Sequence, residues 1–433
     1  MKQVARVLST YSADLFGICS VLYELGGLVV MHDASGCNST YNTHDEPRWY
    51  DIESMIYISG LIENDVILGN DEKLIGDVIE AAQETNPKFI AISAALIPLF
   101  MSTDMKGIAR IIEKRTGIPT FGFTTNAMDT YVLGGNMVYR EFLDRFCPAL
   151  DGSQAISDSS SISVNLLGVT PLDFSIVGNV EALKEYFKDC GIEVNCCMTM
   201  GCTLSEMAEA YKADVNVVCS SLALDGAKIL NDKYGTPAVL GLPTGKTACC
   251  ELEKLIRESA SDGKSRLLGS ADEITCIPPL EHAKSSFTLR DRAKGGTWII
   301  GEAINAAGIR YTLEHDLGIT EVHILCPTQV DAHILRDGDV MVRDEADIEK
   351  VLKGAKCVIA DPIYRRILTR ENGNLPHFIN IPHEAYSGRM YRSHIPTFIG
   401  AGFTEWLASK LNADEDSIGI NDIMRINVPY KKG

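Results

Sequence analysis

Short β-branched runs alternate with amphipathic helical stretches along most of this 433-residue chain, and that rhythm limits the fold more than any other feature. "KFIAIS" (Lys88 to Ser93) reads as a buried strand. "MKGIARIIEKRTG" follows as a helix that ends at Gly117, and "IPTFGF" is the next strand. Strand, helix and strand in that order build a parallel sheet, because a parallel neighbour can be reached only by a crossover. The rhythm restarts after a serine-rich polar stretch, "DGSQAISDSSSIS" (Asp151 to Ser163), and again after "IPPLEHAKSSFTLRDRAKGG" (Ile277 to Gly296). The expected organisation is three doubly wound α/β units in series, over residues 1–160, 161–285 and 286–433.

Bulk properties narrow the function classes. A chain this long exceeds one hydrophobic core. The formal net charge is −18, so the surface repels phosphate backbones and nucleic acid is not an expected partner. "MKQVARVLSTYSADLFGICS" lacks the pattern of a secretory leader, and the most apolar windows are interrupted by Glu24, glycines and Pro98. A cytoplasmic protein without a membrane span is the expectation. Thirteen cysteines are many for that compartment, where a disulfide framework is disfavoured. Some must be buried as small hydrophobes, and others are candidates for thiolate ligands.

"LGLPTGKTACC" (Leu240 to Cys250) resembles a phosphate-binding loop in its Gly245-Lys246-Thr247. That loop needs a glycine where Leu240 stands, and Pro243 lacks an N–H that the cradle would use. A plain strand-to-helix loop with Thr244 as helix cap is the better reading. Cys196, Cys197 and Cys202 suggest a metal cluster by count, but neighbouring strand residues face opposite ways, so packing is preferred. The same holds for Cys249 and Cys250.

Cys19 and Cys37 stand apart. "SADLFGICSVLYELGG" puts Cys19 near the start of an apolar helix, where N–H groups and the helix dipole favour a thiolate. The run "GLVVM" then breaks into His32-Asp33-Ala34-Ser35-Gly36-Cys37, so Cys37 lies at a strand mouth, where α/β proteins keep their chemistry. Two unrelated buried thiols are the competing reading.

"CSVLYELGGLVVMHDASGC", "ISGLIENDVILGNDEKLIGDVIE" and "PKFIAISAALIPLFMSTDM" together resemble the N-terminal domain of nitrogenase component 1 and its relatives. The shared pieces are Cys19, His32 to Cys37, Glu63 and Asp65 through Gly69, and Lys73-Leu74. The resemblance implies three Rossmann-like domains around a central cleft. It implies that Cys19 and Cys37 hold an iron–sulfur cluster at a subunit interface. The family's third cysteine is absent: Ala94, Ala95 and Leu96 fill that stretch. Two chains would then offer four thiolates, the complement of one [4Fe–4S] cluster. Cys219, followed by a helix to Lys233-Tyr234-Gly235, and His383 in "IPHEAYSG" resemble the family's ligands to a second metallocofactor. The implied function is a low-potential oxidoreductase, in a homodimer or paralogous hetero-oligomer. Its electrons would come from an ATP-hydrolysing iron-protein partner, and anaerobic life suits such a system. A metallocofactor-assembly scaffold, a tetrapyrrole reductase and a non-redox binding protein are the alternatives.

Overall fold

The structure is a computed structural model, and it describes residues 8, 12–39, 41, 45–53, 55–149, 161–270, 274, 295–331, 333–368 and 375–413. The serine-rich stretch over 151–160, Cys276 and most of the second break lie outside the described residues.

Fourteen strands form three parallel sheets among the described residues. The first holds β1 (Leu28–His32), β2 (Ile56–Ile58), β3 (Ile90–Ala94) and β4 (Thr120–Phe123), in the order β2-β1-β3-β4. The second holds β5 (Ser163–Leu167), β6 (Glu193–Cys197), β7 (Val215–Val218), β8 (Ala238–Leu240) and β9 (Arg266–Leu267), in the order β6-β5-β7-β8-β9. The third holds β10 (Thr297–Ile300), β11 (Val322–Cys326), β12 (Val340–Met341), β13 (Cys357–Ala360) and β14 (His377–Asn380), in the order β12-β11-β10-β13-β14. The expected α/β class with three parallel sheets is what the chain adopts. Rhythm alone does not separate the two topologies present: the first two sheets follow a flavodoxin-like order and the third the Rossmann order. The edge strands β2, β9 and β12 carry too few residues to show a sequence pattern.

Central strands such as β1 and β3 are buried along their whole length. Covered on both faces by crossover helices, they read as unbroken apolar runs rather than alternating ones. The helix Met105–Thr116 shows how local chemistry sets its ends. Asp104 accepts the N–H of Gly107 at 2.9 Å, and Gly117 closes the helix at φ 74°.

One helix, Tyr131–Phe146, ties the first unit to the second. Its consecutive Gly134 and Gly135 are required by close approach. A Cβ on Gly134 would sit 1.8 Å from the backbone oxygen of Asp14, and one on Gly135 would sit 2.5 Å from the Leu222 side chain. The backbone can therefore lie against the helix Asp14–Leu22 and the second unit at once. Asp14 anchors the same seam. Its carboxylate accepts N–H groups from Leu15, Asn126 and Ala127 at 2.8–2.9 Å, and burial pushes its pKa up to about 6.

A raised carboxyl pKa favours the fold while the group is protonated. That contribution is complete below about 3.8 and is lost as pH rises through about 6. We expect chemical-denaturation stability to fall across this window by on the order of 2–3 kcal/mol from this group. Asp14→Asn removes that part of the slope. An unchanged slope in the variant would show that Asp14 titrates as it does in the unfolded chain.

Candidate functional site

In open parallel sheets, function gathers at the carboxyl ends of strands where the strand order reverses. In the second sheet that point lies between β5 and β7. In the third it lies between β10 and β13. The residues that follow these strands meet. Asp173 comes after β5, Ser220 and Ser221 after β7, Glu302 after β10, Asp361 after β13 and His383 after β14.

The meeting place is filled rather than open, and Asp173 is its centre. Tyr131, from the tying helix, donates its hydroxyl to Asp173 Oδ1 at 2.5 Å, and Ser220 donates to Oδ2 at 2.5 Å. His383 Nε2 lies 3.3 Å from Oδ1, at an angle that leaves it short of a formal hydrogen bond. His383 Nδ1 accepts the N–H of Ala385 at 3.3 Å, which leaves the ring proton on Nε2, facing the carboxylate. The ring stacks on Tyr386, and its backbone N–H donates to Asp361. Glu302 accepts the N–H and hydroxyl of Ser221 and caps its own helix through Ile304 and Asn305. Burial, and next the charge of Asp173, hold the Glu302 carboxyl above its ordinary range. All of these side chains are buried.

Cys219 is the next residue after β7, as its place in the sequence suggests, but it does not face a cofactor space. It is 1% exposed in the apolar core, and its thiol donates to Val217 O at 3.7 Å. Burial pushes that thiol well above its usual pKa. His383 is turned inward to Asp173. Two cavities, of about 510 and 310 Å³, are lined by other residues. In this structure the switch-point crevice is occupied by the Tyr131, Asp173 and Glu302 network.

The β1 loop is different. His32 Nδ1 pairs with Ser59 Oγ at 2.8 Å, and burial pushes the ring down to about 4, so it is neutral near pH 7. Asp33 holds the turn, accepting from Ala34 N–H at 2.8 Å and Asn38 Nδ2 at 2.7 Å. Cys37 closes this braced turn and is exposed. The acidic segment packs alongside. Asp65 accepts from Asn70 and Lys73 at 2.9 Å each, and those bonds hold its carboxyl below the usual range. This edge also exposes large apolar side chains. Ile67, Leu68 and Phe100 are 69%, 83% and 78% exposed, with Ile62 and Tyr57 beside them.

Cys19 requires a correction. Its helix begins at Asp14, so Cys19 sits in the second turn and not at the N-terminus. It is fully buried, and burial first, then the charge of Glu46, pushes its thiol far above the usual range. A long apolar stretch hides the helix start, which Asp14 marks. Among the described residues no group of three or more His, Cys, Asp or Glu could hold a metal ion.

Thr244 is not the cap of the helix Lys246–Asp262. Asp316, from the third unit, accepts the N–H groups of Lys246 at 2.9 Å and Thr247 at 3.0 Å, and Thr247 and Thr404 donate their hydroxyls to it. Burial would raise this carboxyl, but these bonds outweigh it and hold the pKa down. A carboxylate of the protein thus stands where a phosphate-binding loop would place a phosphate. Lys246 Nζ pairs with Glu405 at 3.0 Å.

Packing is the expected role of these cysteines; Cys196 and Cys202 are buried, and they also touch each other. The chain reverses after β6, and their sulfurs lie 2.8 Å apart. The glycine of "MTMGC" is the sequence signal for that reversal.

A family profile described as nitrogenase component 1 type oxidoreductase matches residues 25–360. A nitrogenase iron-molybdenum cofactor biosynthesis protein NifE from Clostridium pasteurianum is 24% identical over 244 residues, 55% of this chain and 47% of that protein. The NifE of Bradyrhizobium diazoefficiens is 20% identical, over 76% of this chain and 62% of that protein. A light-independent protochlorophyllide reductase chain from Methylocella silvestris is 24% identical, over 56% of this chain and 46% of that protein. The chain thus spans about half the length of most of these curated relatives. The solved structure of nitrogenase Cp1 at pH 6.5 superposes with a TM-score of 0.65 at 16% identity, over 95% of this chain and 93% of that one. No helix among the described residues is long and apolar enough to cross a membrane.

Two measurements test these assignments. Asp173→Ala strands the Tyr131 and Ser220 hydroxyls, and should cost about 3–5 kcal/mol by urea denaturation. Cys219→Ala removes one buried sulfur and should cost about 1–2 kcal/mol. Equal costs would contradict the central place of Asp173. Separately, magnesium and ATP should leave the melting temperature of the chain unchanged. Stabilisation by ATP that Lys246→Ala abolishes would overturn the assignment of Asp316 as the anion at that helix.

Proposed function

The chain belongs to the nitrogenase component 1 type oxidoreductases, and from that premise we propose that it is one subunit of a low-potential redox component completed by a second chain. The observation that carries this reading is Cys37. It is an exposed thiol on a rigid turn, on an edge that presents Ile67, Leu68 and Phe100 to water. Ile67 and Leu68 follow β2 and Phe100 follows β3, the two strands that flank β1, and exposed apolar side chains of this size at one end of a sheet suit a protein interface. Closing that interface would bury Cys37 between chains.

The fit to an iron–sulfur cluster is partial within one chain. Cys37 offers a reachable thiolate on a preorganised turn, while Cys19 is sealed behind it. The remaining ligands must come from a paralogous second chain, because an identical one would add only its own Cys37. When bound there, such a cluster supplies one-electron storage. This chain's residues brace the turn that carries Cys37 through Asp33, Asn38 and Ser59. With Asp316 at the loop resembling a nucleotide site, ATP hydrolysis falls to a separate iron-protein partner.

The closed crevice supports a reading of the substrate. A metallocofactor held by Cys219 and His383 would need that buried network opened. An organic substrate, taken up between the units or against the second chain, needs no thiolate at Cys219. This favours a reductase of an organic molecule over an assembly scaffold, although NifE proteins are among the relatives.

Iron, acid-labile sulfide and EPR spectra of anaerobically isolated protein test the proposal. Cys37→Ala should lose most of its iron and its reduced-cluster signal. Cys219→Ala and Cys19→Ala should keep both. Undiminished iron in Cys37→Ala, or its loss in Cys219→Ala alone, would overturn the reading.

A further inference from the structure

Cys196 stands near the end of β6 and Cys202 precedes the short helix Leu204–Ala208, with a tight reversal between them. Gly201, at φ 74°, makes the reversal possible, and its N–H donates to Glu24 of the first unit at 2.6 Å. Both flanks are held. Met198 N–H donates to Leu166 O, and its carbonyl accepts from Val169 N–H and the Tyr139 hydroxyl, each at 2.8 Å. On the other side, Thr203 and Glu206 form a reciprocal cap. The two sulfurs are thus fixed 2.8 Å apart by backbone that is ordered on both sides.

The pair is buried but borders usable space. A cavity of about 510 Å³ is lined by Cys196, Cys197, Cys202, Lys184 and Lys188. Cys202 lines the neighbouring cavity of about 310 Å³ as well. The described residues exclude a three-ligand metal site here. What two neighbouring thiols beside a cavity can do is exchange with a disulfide.

We infer that Cys196 and Cys202 form a reversible thiol–disulfide exchange site whose substrate is a small-molecule disulfide admitted by this cavity. Cys202 is the residue that lines both cavities, so it meets an incoming disulfide and attacks first. Its thiolate bonds to one sulfur of the small disulfide. The S–S bond of that molecule breaks, and one small thiolate leaves and takes up the proton released by Cys202. Cys196 then loses its proton and attacks Cys202 Sγ, displacing the second small thiol, which takes up that proton. The protein pair gives up two electrons and two protons, and the small disulfide receives them. Cys197, next in the strand, takes no part. This site is independent of the Cys37 reading.

Glutathione disulfide is a suitable probe, because Lys184 and Lys188 line the cavity and the probe carries carboxylates. The full chain, isolated anaerobically, is equilibrated with reduced and oxidised glutathione at a series of ratios, quenched with acid and alkylated. Peptide mass mapping then follows each cysteine. The expected result is a linked Cys196–Cys202 peptide that grows with the oxidised fraction and disappears on return to reduced glutathione. Cys202→Ser should abolish the link. Cys196→Ser should trap glutathione on Cys202, and Cys197→Ser should leave the link intact. Free alkylation of both cysteines at the most oxidising ratio, or a link through Cys197, would overturn the assignment. The wild-type map decides even where a variant fails to fold.

Discussion

A buried carboxylate needs donors, and Asp173 takes them from two of the three α/β units while an imidazole of the third lies against it. The Tyr131 hydroxyl belongs to the helix that leaves the first unit, the Ser220 hydroxyl to the second and the His383 imidazole to the third. Removing this charge from water is tolerable only while those partners stay in place. The first unit's last helix and the second unit are therefore tied through one side chain's hydrogen-bond demand as well as by apolar packing. Glu302 repeats the principle one layer away, joining the third unit to Ser221. Asp316 does so at the far side, joining the third unit to the helix Lys246–Asp262.

The same network explains why a family fold need not carry every family ligand. Cys219 keeps its place at the end of β7, and His383 keeps its place after β14. Yet the space between the sheets is filled by hydroxyls and carboxylates that satisfy one another. Position after a strand is a property of topology. Availability to a ligand depends on what the neighbouring units insert, and here the first unit inserts Tyr131.

Much of the architecture is legible in the sequence because it rests on short-range patterns. Buried parallel strands read as apolar runs, and glycines at 117 and 235 end the helices where expected. Cys37 is legible for the same reason, since a strand ends and a polar turn begins. The rest depends on long-range partners that no local window contains. Asp316 lies 69 residues from the Thr247 it caps, so a local reading gives the cap to Thr244. Cys19 is misplaced by such a reading because its helix is apolar from the first turn, and the start marker Asp14 looks like one more surface charge. The Cys196–Cys202 contact needs the reversal at Gly201, which a strand-alternation argument cannot see.

The apolar rim around Cys37 has a bearing on how the chain behaves when made by itself. Leu68 and Phe100 facing water favour self-association, while a net charge of −18 drives copies apart. The two tendencies respond differently to ionic strength, because salt screens the repulsion and leaves the apolar attraction intact. Dilute buffer therefore keeps an orphan subunit dispersed, and concentrated salt gathers it into contacts with no fixed geometry. In the cell, the same imbalance would make timely pairing with the second chain a matter of solubility as well as of chemistry.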